Sequence, residues 1–352
     1  MTLAQTPRTI DNLVDTVPRR RIPLSAIHDA ATFVYKAAVR TPLVRLDLTG
    51  LDSPLPELFL KLENLQPTGA FKIRGAFNVV RQLSRDDLAA GIWTVSAGNA
   101  AQGVALSARK VGARCSVMVM DTAPNTKVRA IERLGASIVT ASYDECWQTV
   151  VSRSSPRMQG YFVHPFDDDR FIAGNATMAL EILEDLPDVD TIVCPAGGGG
   201  LLAGVAAAVA ERQPAVSVVG AEPVTASPLS ASMAAGHPVI FGDWTASFVD
   251  GAGGKSVLET MWPLLSGLSR SVVVSLEETA SAMRLVAERA RVIAEGAAGC
   301  AVAGALSGRA GGRKVVAIVS GGNIDLEQFA ALVGACDNRR RSGADAGDSH
   351  HR

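Results

Sequence analysis

The stretch Thr191-Ile-Val-Cys-Pro-Ala-Gly-Gly-Gly-Gly-Leu201 is the part of the sequence that best predicts the fold. It opens with a short β-branched run, typical of a buried strand, and an alanine-rich segment of helical length follows at 200–213. Four consecutive glycines let successive backbone N–H groups point at one anion, and a helix start adds its positive dipole end. The stretch therefore predicts a strand, a phosphate-binding loop and a helix.

Strand-like and helical segments alternate along most of the chain, which predicts an α/β fold with parallel sheets flanked by helices. Ligands of such sheets bind at the carboxyl ends of the strands. Gly- and Ser-rich loops follow three predicted strands, at 96–100, 195–201 and 320–323. We therefore expect a ligand site where these loops meet. The predicted strands are 92–96, 115–120, 137–140, 161–164, 191–195, 216–221, 271–275 and 315–320, and the predicted helices are 99–111, 124–134, 143–155, 170–185, 200–213, 277–293 and 325–335.

The composition limits the classes of protein and partner. A chain of 352 residues, 47% of them hydrophobic, exceeds one ordinary core and favours a two-lobed enzyme. The balance of 34 basic and 35 acidic residues gives a net charge of −1, which argues against nucleic acid as a partner. No apolar run reaches the ~18 residues of a membrane span, and no signal-peptide pattern opens the chain. Five scattered cysteines without a Cys-x-x-Cys pair predict a reducing, cytoplasmic setting without a zinc site or disulfide framework.

The glycine run leaves the identity of the phosphate ligand open. No lysine follows it at the spacing of a P-loop. The pattern Gly198-x-Gly200-x-x-Ala203 fits a dinucleotide-binding turn, with Glu222 as a candidate ribose ligand. A nicotinamide-dependent oxidoreductase is therefore one alternative function, although it leaves the other two loops unexplained.

A second motif surrounds a lysine. Lys72 lies between Gly69 and Gly75 in the largely apolar run Pro-Thr-Gly-Ala-Phe-Lys-Ile-Arg-Gly at 67–75. Burial lowers the pKa of a lysine amine and makes it a nucleophile or a base. The simpler interpretation is a surface lysine whose stem lies along apolar groups.

The motifs together resemble the fold-type II pyridoxal-phosphate enzymes, specifically the threonine and serine dehydratase branch, over about residues 40–335. Segment 67–75 resembles the segment of the cofactor-carrying lysine, and 96–100 resembles the loop that binds the substrate carboxylate. Segment 197–200 matches the phosphate loop, and 320–323 matches the segment that meets the pyridine nitrogen. The resemblance implies pyridoxal 5′-phosphate as cofactor.

The family resemblance also implies an architecture. We expect a two-lobed, tryptophan synthase β-like fold with a large cofactor-binding domain (1–91 plus 168–336) and a small domain (92–167). Separately, the polar composition of 337–352 predicts a disordered tail. Relatives are commonly homodimers, so a homodimer is expected here.

The resemblance assigns roles residue by residue. Lys72 carries the cofactor and, once released, is the base at the substrate Cα. The Ser320 hydroxyl pairs with the pyridine nitrogen, and Asn99 bonds the phenolic oxygen, although Asn99 also suits a helix N-cap. The expected cofactor-binding residues are Phe71, Lys72, Asn99, Gly197, Gly198, Gly199, Gly200, Leu201, Glu295 and Ser320. The expected substrate-binding residues are Ser96, Ala97, Gly98, Asn99 and Ala100.

Two further positions matter less to the site. Glu222-Pro223 resembles the family's divalent-cation segment, but Pro228 stands where relatives place a second carboxylate. A hard cation needs several oxygen ligands, so we predict no metal. His164 lies at a strand end and is interpreted as structural.

Three alanines bear on the substrate. Relatives generally carry Ser at Ala70 and His or a bulkier residue at Ala100, so we expect a roomier, more apolar site than threonine needs. The racemase branch has a second acid/base Ser at Ala97, so efficient racemisation is not expected. The predicted function is elimination of water from a β-hydroxy amino acid, giving a 2-oxo acid and ammonia, with a phenylserine-like or hydroxyectoine-derived substrate. Ordinary threonine/serine specificity and a non-catalytic ligand-binding protein are the alternatives.

Overall fold

A computed structural model describes residues 20–51 and 55–345 of the chain, with the backbone alone over 336–345. The described residues form ten strands: β1 Leu43–Arg45, β2 Glu57–Lys61, β3 Ile92–Val95, β4 Cys115–Met120, β5 Ser137–Ala141, β6 Tyr161–Phe162, β7 Thr191–Pro195, β8 Ser217–Pro223, β9 Arg270–Val274 and β10 Lys314–Ile318. They also form thirteen helices: α1 Leu24–Phe33, α2 Lys72–Val80, α3 Arg85–Ala90, α4 Asn99–Val111, α5 Asn125–Arg133, α6 Tyr143–Ser152, α7 Asp169–Asp185, α8 Gly200–Arg212, α9 Pro228–Ala235, α10 Trp262–Leu265, α11 Leu276–Ala290, α12 Gly296–Leu306 and α13 Leu326–Asp345.

The larger of two sheets has six strands in the order β1-β2-β10-β7-β8-β9. All of its strand pairs are parallel except β1 with β2. Alternate residues of β7 point to opposite faces of the sheet. Ile192 and Cys194 pack into the core on the side of α7 and α8, whereas Val193 packs into the core on the side of α12. Burial on both faces explains why β7 reads as a continuous apolar run rather than an alternating one.

The smaller sheet has four parallel strands in the order β5-β4-β3-β6. Its strands all fall within 92–167, the range predicted for the small domain, while the domain boundaries themselves stay a prediction. The predicted α/β class with parallel sheets is confirmed, and each of the eight predicted strands has a counterpart. Strands β1 and β2 were missed.

Helix α2, which begins at Lys72, is held closely by two other helices. A Cβ on Gly103 of α4 would lie 3.0 Å from the Lys72 carbonyl carbon. A Cβ on Gly174 of α7 would lie 2.5 Å from the carbonyl oxygen of Arg74. Any side chain at these two glycines would push the helices apart, so the glycines set the position of the lysine backbone.

A buried ionic network fixes the same helix through Arg74. Its guanidinium donates to Glu63 at 2.8 Å and to Glu181 at 2.5 Å, and Lys61 pairs with Glu181 at 2.6 Å. All four side chains are at most 1% exposed. Burial alone would raise the pKa of Glu181, but Arg74 and Lys61 hold it below its ordinary value. The network joins β2, α2 and α7.

The C-terminal end of the described chain is helical. Helix α13 continues to Asp345 and so includes the first residues of the predicted tail (337–352), whose disorder stays a prediction. Residues 346–352 lie outside the described part of the chain.

Among helices of the described ranges, none combines the length and apolarity that a bilayer crossing requires. The four described cysteine side chains, Cys115, Cys146, Cys194 and Cys300, are buried and free.

We predict that Arg74→Ala strongly destabilises the fold, by about 3–5 kcal/mol, because it leaves the buried Glu63 carboxylate without a cation and Glu181 with Lys61 alone. Urea unfolding of the protein measures the change. The matched control is Arg45→Ala, which breaks the exposed pair with Glu57 at 3.8 Å and should cost about 1 kcal/mol or less. Equal losses for the two variants would contradict the structural importance of the network.

Candidate active site

A cavity of about 490 Å³ is lined by residues of both sheets. The loops that follow β3, β7 and β10 all reach it, as expected for the carboxyl ends of parallel strands. The structure also places every residue predicted for the site on the cavity wall: Phe71, Lys72, Ser96, Ala97, Gly98, Asn99, Ala100, Gly197, Gly198, Gly199, Gly200, Leu201, Glu295 and Ser320.

Lys72 presents its amine to this cavity from the first turn of α2. The Nζ atom donates to the Pro165 carbonyl oxygen at 2.7 Å and lies 5.2 Å from the centre of the Phe71 ring. Burial lowers the pKa of the amine to about 8, although the nearby Glu295 opposes the shift. A lysine near this pKa exchanges protons readily close to neutral pH, so Lys72 suits both covalent attachment and proton transfer.

The glycine run forms a tight turn from β7 into α8. Gly199 has φ +87°, a conformation that favours glycine. A Cβ on Gly197 would collide with the Gly251 carbonyl oxygen, and one on Gly198 would lie 2.5 Å from the Phe166 ring. The turn therefore has no room for side chains and presents backbone at the start of α8, where the helix dipole favours an anion.

Asn99 lies at the centre of a polar chain. Its Nδ2 donates to Glu295 Oε1 at 2.7 Å, and its Oδ1 accepts from Asn323 Nδ2 at 2.8 Å. The interpretation of Asn99 as a helix N-cap is wrong, because α4 begins at Asn99 and Gly98 is the capping residue, without a side-chain bond. Burial, with a contribution from Asp250, raises the pKa of Glu295 to about 8, so this carboxyl is mostly protonated at neutral pH.

The lysine segment and the loop after β10 are joined directly. The backbone N–H of Phe71 donates to the Ser320 carbonyl at 3.0 Å, and Ala70 forms a bridge with Gly321. Ser320 is buried and is part of the cavity wall. Ala70 is fully buried and is not part of the cavity wall, so the expectation that it enlarges the substrate space is wrong. Ala100 does line the cavity.

Several wall residues were not predicted from the sequence. Helix α6 contributes an apolar face, namely Tyr143, Cys146, Trp147 and Val150. Lys127 of α5 also lines the cavity and pairs with Asp250, another residue of the wall. These residues lie far from the motifs in the sequence, and no local pattern marks helical residues that face a cavity.

His164 shapes the turn beside the lysine. Its Nδ1 accepts the backbone N–H of Asp167 at 2.8 Å, and the ring is buried between Phe162 and Phe166. Burial, with a contribution from Arg153, lowers the pKa of His164 to about 4, so the ring is neutral. This geometry fits the structural role predicted for His164 and orders the loop that carries Pro165.

Glu222 is buried away from the cavity, and protein donors occupy its carboxylate. It accepts the N–H groups of Leu229 at 2.7 Å and Ser230 at 2.8 Å, and the Ser271 hydroxyl at 2.6 Å. Glu222 thus binds the N-terminus of α9. Within the described residues, no group of three or more His, Cys, Asp or Glu side chains is arranged to hold a metal ion. The absence of a metal stays a prediction.

The comparisons with known proteins settle the family. A family model described as pyridoxal-phosphate dependent enzyme matches residues 34–321. The chain belongs to this family. It is 36% identical over 304 residues to an L-threonine ammonia-lyase of Thermotoga maritima, covering 85% of this chain and 74% of that protein. It is 37% identical to a catabolic L-threonine dehydratase of Escherichia coli K12, covering 80% of this chain and 87% of that protein.

Solved structures agree with this placement in the family. Maize serine racemase superimposes with a TM-score of 0.81 at 30% identity, covering 91% of this chain and 100% of that chain. The processed form of threonine deaminase isoform 2 from Solanum lycopersicum gives a TM-score of 0.77 at 28% identity, covering 90% and 96%. The resemblance to the threonine and serine dehydratase branch and the fold-type II architecture are therefore confirmed.

Pyridoxal phosphate is the cofactor of this family, and the cavity fits it. The glycine turn at 197–200 has no side chains and can accommodate the phosphate group. The Lys72 amine donates to a carbonyl rather than to a carboxylate, so it can react with the cofactor aldehyde. The oxidoreductase alternative is wrong, because the family is different and the buried Glu222 is bound to α9.

We predict that capture of pyridoxal phosphate by the apoprotein speeds up with pH and levels off above about pH 8, because only the neutral amine of Lys72 reacts. Below that pH the rate should fall about tenfold per pH unit, following the fraction of neutral amine. The growth of the visible absorption band measures the rate.

Lys127→Ala is the matched control for this prediction, because Lys127 also lines the cavity. It should keep the visible band, whereas Lys72→Ala should abolish it. A rate that still rises to pH 10, or a band that survives in Lys72→Ala, would contradict the assignment of the amine.

Proposed function

We propose that this protein is an ammonia-lyase that removes water from a β-hydroxy amino acid and yields a 2-oxo acid and ammonia. The observation that carries the proposal is the buried Lys72 amine, with a pKa of about 8, facing the same cavity as the glycine turn. Relatives named L-threonine ammonia-lyase and L-threonine dehydratase support this reaction type.

The residues of the chain divide the work of the reaction. Pyridoxal phosphate, when bound, supplies the electron sink that makes the Cα proton acidic. The turn at 197–200 and the start of α8 hold the phosphate. Backbone N–H groups of 96–100, at the start of α4, hold the substrate carboxylate, and this fixes which Cα bond faces Lys72.

Proton transfer then falls to Lys72. The neutral amine takes the Cα proton, and the β-hydroxyl leaves as water once the resulting Lys72 ammonium has protonated it. The released enamine tautomerises and takes up water, so the net change is a β-hydroxy amino acid converted into a 2-oxo acid and ammonia. The Ser320 hydroxyl is neutral and suits an uncharged pyridine nitrogen better than a carboxylate would, which favours elimination.

Racemisation is not part of the proposal. A racemase needs an acid/base group on each face of the Cα, and Ala97 offers none on its side of the cavity. The likeness to maize serine racemase is therefore one of fold and family, and we expect recovered substrate to keep its configuration.

The finer proposal concerns the substrate side chain, for which we propose a group bulkier than that of threonine. The apolar wall of α6 and the methyl-sized side chain at Ala100 support it. Lys127 and Asp250 neutralise each other at the cavity wall, which disfavours a charged side chain. Ordinary threonine and serine specificity is the alternative, and the names of the relatives favour it.

One assay tests both levels of the proposal. Ammonia and 2-oxo acid are measured after the holoenzyme is mixed with L-serine, L-threonine and L-threo-phenylserine. We expect release from at least one of them, and kcat/KM highest for phenylserine because its ring can pack on the α6 face. No ammonia from a wider panel of β-hydroxy amino acids would instead indicate the non-catalytic binding protein.

The Ala100→His variant tests the proposed preference for a bulky substrate side chain. Its added ring should reduce kcat/KM for phenylserine relative to threonine by about 10- to 200-fold, the range for misfit of a few carbon atoms. Ala70→Ser is the control and should leave the ratio unchanged, because Ala70 lies outside the cavity wall. An unchanged ratio in Ala100→His would contradict the bulkier substrate and leave the lyase assignment standing.

We also propose that the working form is a cytoplasmic homodimer. The exposed apolar side chains of Leu65 and Ile293 support a covered face, since Asn64 beside Leu65 donates to the Ile293 carbonyl at 3.0 Å. Sedimentation velocity of the holoenzyme measures the assembly directly.

A further inference from the structure

Asn323 joins three separate parts of the cavity wall. Its Nδ2 donates to the Thr68 carbonyl at 2.7 Å, in the lysine segment, and to Asn99 Oδ1 at 2.8 Å, at the start of α4. Its backbone N–H faces the Glu295 carboxyl.

The space for this amide is made by a neighbouring glycine. Gly69 has φ +70°, and a Cβ there would lie 2.5 Å from Asn323 Oδ1. The close packing prevents a longer side chain from replacing Asn323. It also fixes the amide so that both hydrogens of Nδ2 point at acceptors, the full donor capacity of the group.

The contacts determine which way the Asn99 amide faces. With Oδ1 accepting from Asn323 and Nδ2 donating to Glu295, a flip would set the Nδ2 groups of Asn99 and Asn323, both donors, against each other. One hydrogen of Asn99 Nδ2 then remains for a ligand in the cavity. Without Asn323, the amide loses the partner that defines its oxygen side.

We propose that Asn323 is a positioning residue, which orients Asn99 and through it sets the affinity for the ring of pyridoxal phosphate. The inference rests on the proposed role of Asn99 as a ligand of the cofactor's phenolic oxygen. Asn323 acts through Asn99, so its effect must vanish when Asn99 has no amide. Ser320, at the other end of the same loop, has a separate role toward the pyridine nitrogen.

A double-mutant cycle tests this coupling. The equilibrium affinity of apoprotein for pyridoxal phosphate is measured by absorbance for wild type, Asn99→Ala, Asn323→Ala and the double variant. We expect each single change to weaken binding by about tenfold, as for the loss of one hydrogen bond, and the double variant to bind no more weakly than Asn99→Ala. Additive losses would overturn the proposal.

The circular dichroism of the visible cofactor band is the second readout. A turned ring changes this signal, whereas a general loss of stability does not. We expect Asn323→Ala and Asn99→Ala to change it alike. Asn64→Ala is the matched control, because Asn64 makes one comparable bond to the Ile293 carbonyl and none to Asn99. An altered band in Asn64→Ala equal to that in Asn323→Ala would also overturn the proposal.

Two more variants keep the test decisive if Asn323→Ala unfolds. Asn323→Ser keeps one donor and should bind the cofactor more tightly than Asn323→Asp, which sets acceptors against Thr68 and Asn99. The difference should disappear in an Asn99→Ala background. If Asn99→Ala alone leaves the affinity unchanged, the role of Asn99 is wrong and this inference fails with it, while the ammonia assay judges the lyase function separately.

Discussion

The close packing of helix α2 between α4 and α7 is the constraint on which the site depends. Gly103 and Gly174 let the two neighbours approach the backbone at Lys72 and Arg74, and the ionic network of Arg74 ties the helix to β2 and α7. Buried charges of this kind are expensive unless all are paired, so the arrangement tolerates few alternatives. The lysine amine therefore extends into the cavity from the first residue of a tightly packed helix rather than from a loop.

The parallel sheets determine where the loops that line the cavity begin. The strands β7 and β10 are neighbours in the larger sheet, so the loops that follow them, with the glycine turn and Ser320, begin side by side. The loop after β3 comes from the smaller sheet and brings Asn99 to the same cavity. Because the wall is divided between two sheets, the residues proposed to bind the substrate and most of those proposed to bind the cofactor come from different parts of the chain.

The sequence analysis predicted those features that depend on local pattern. The β-branched runs predicted eight strands, and the glycine run and the Lys72 motif predicted residues that now share one cavity. Strands β1 and β2 were missed because the first has only three residues and the second alternates in burial next to a polar run. Ala70 was misplaced because its departure from the residue that relatives carry was interpreted as added substrate space, whereas Ala70 is fully buried and forms a bridge with Gly321. The contacts of Asn323 and the wall of α6 depend on tertiary packing, which no local pattern encodes.

The electrostatics of the cavity follow from burial and helix direction together. Helices α2, α4 and α8 begin at the wall residues Lys72, Asn99 and Gly200, and α12 begins directly after the wall residue Glu295. The N-terminal end of a helix carries a partial positive charge. Burial brings the pKa of both Lys72 and Glu295 to about 8, so at neutral pH most of the amine is charged while the carboxyl is mostly neutral. The site thus holds a positive charge without a carboxylate to balance it. Such a cavity attracts a phosphate and a carboxylate at once, and the arrival of these anions offsets the cost of keeping the lysine buried.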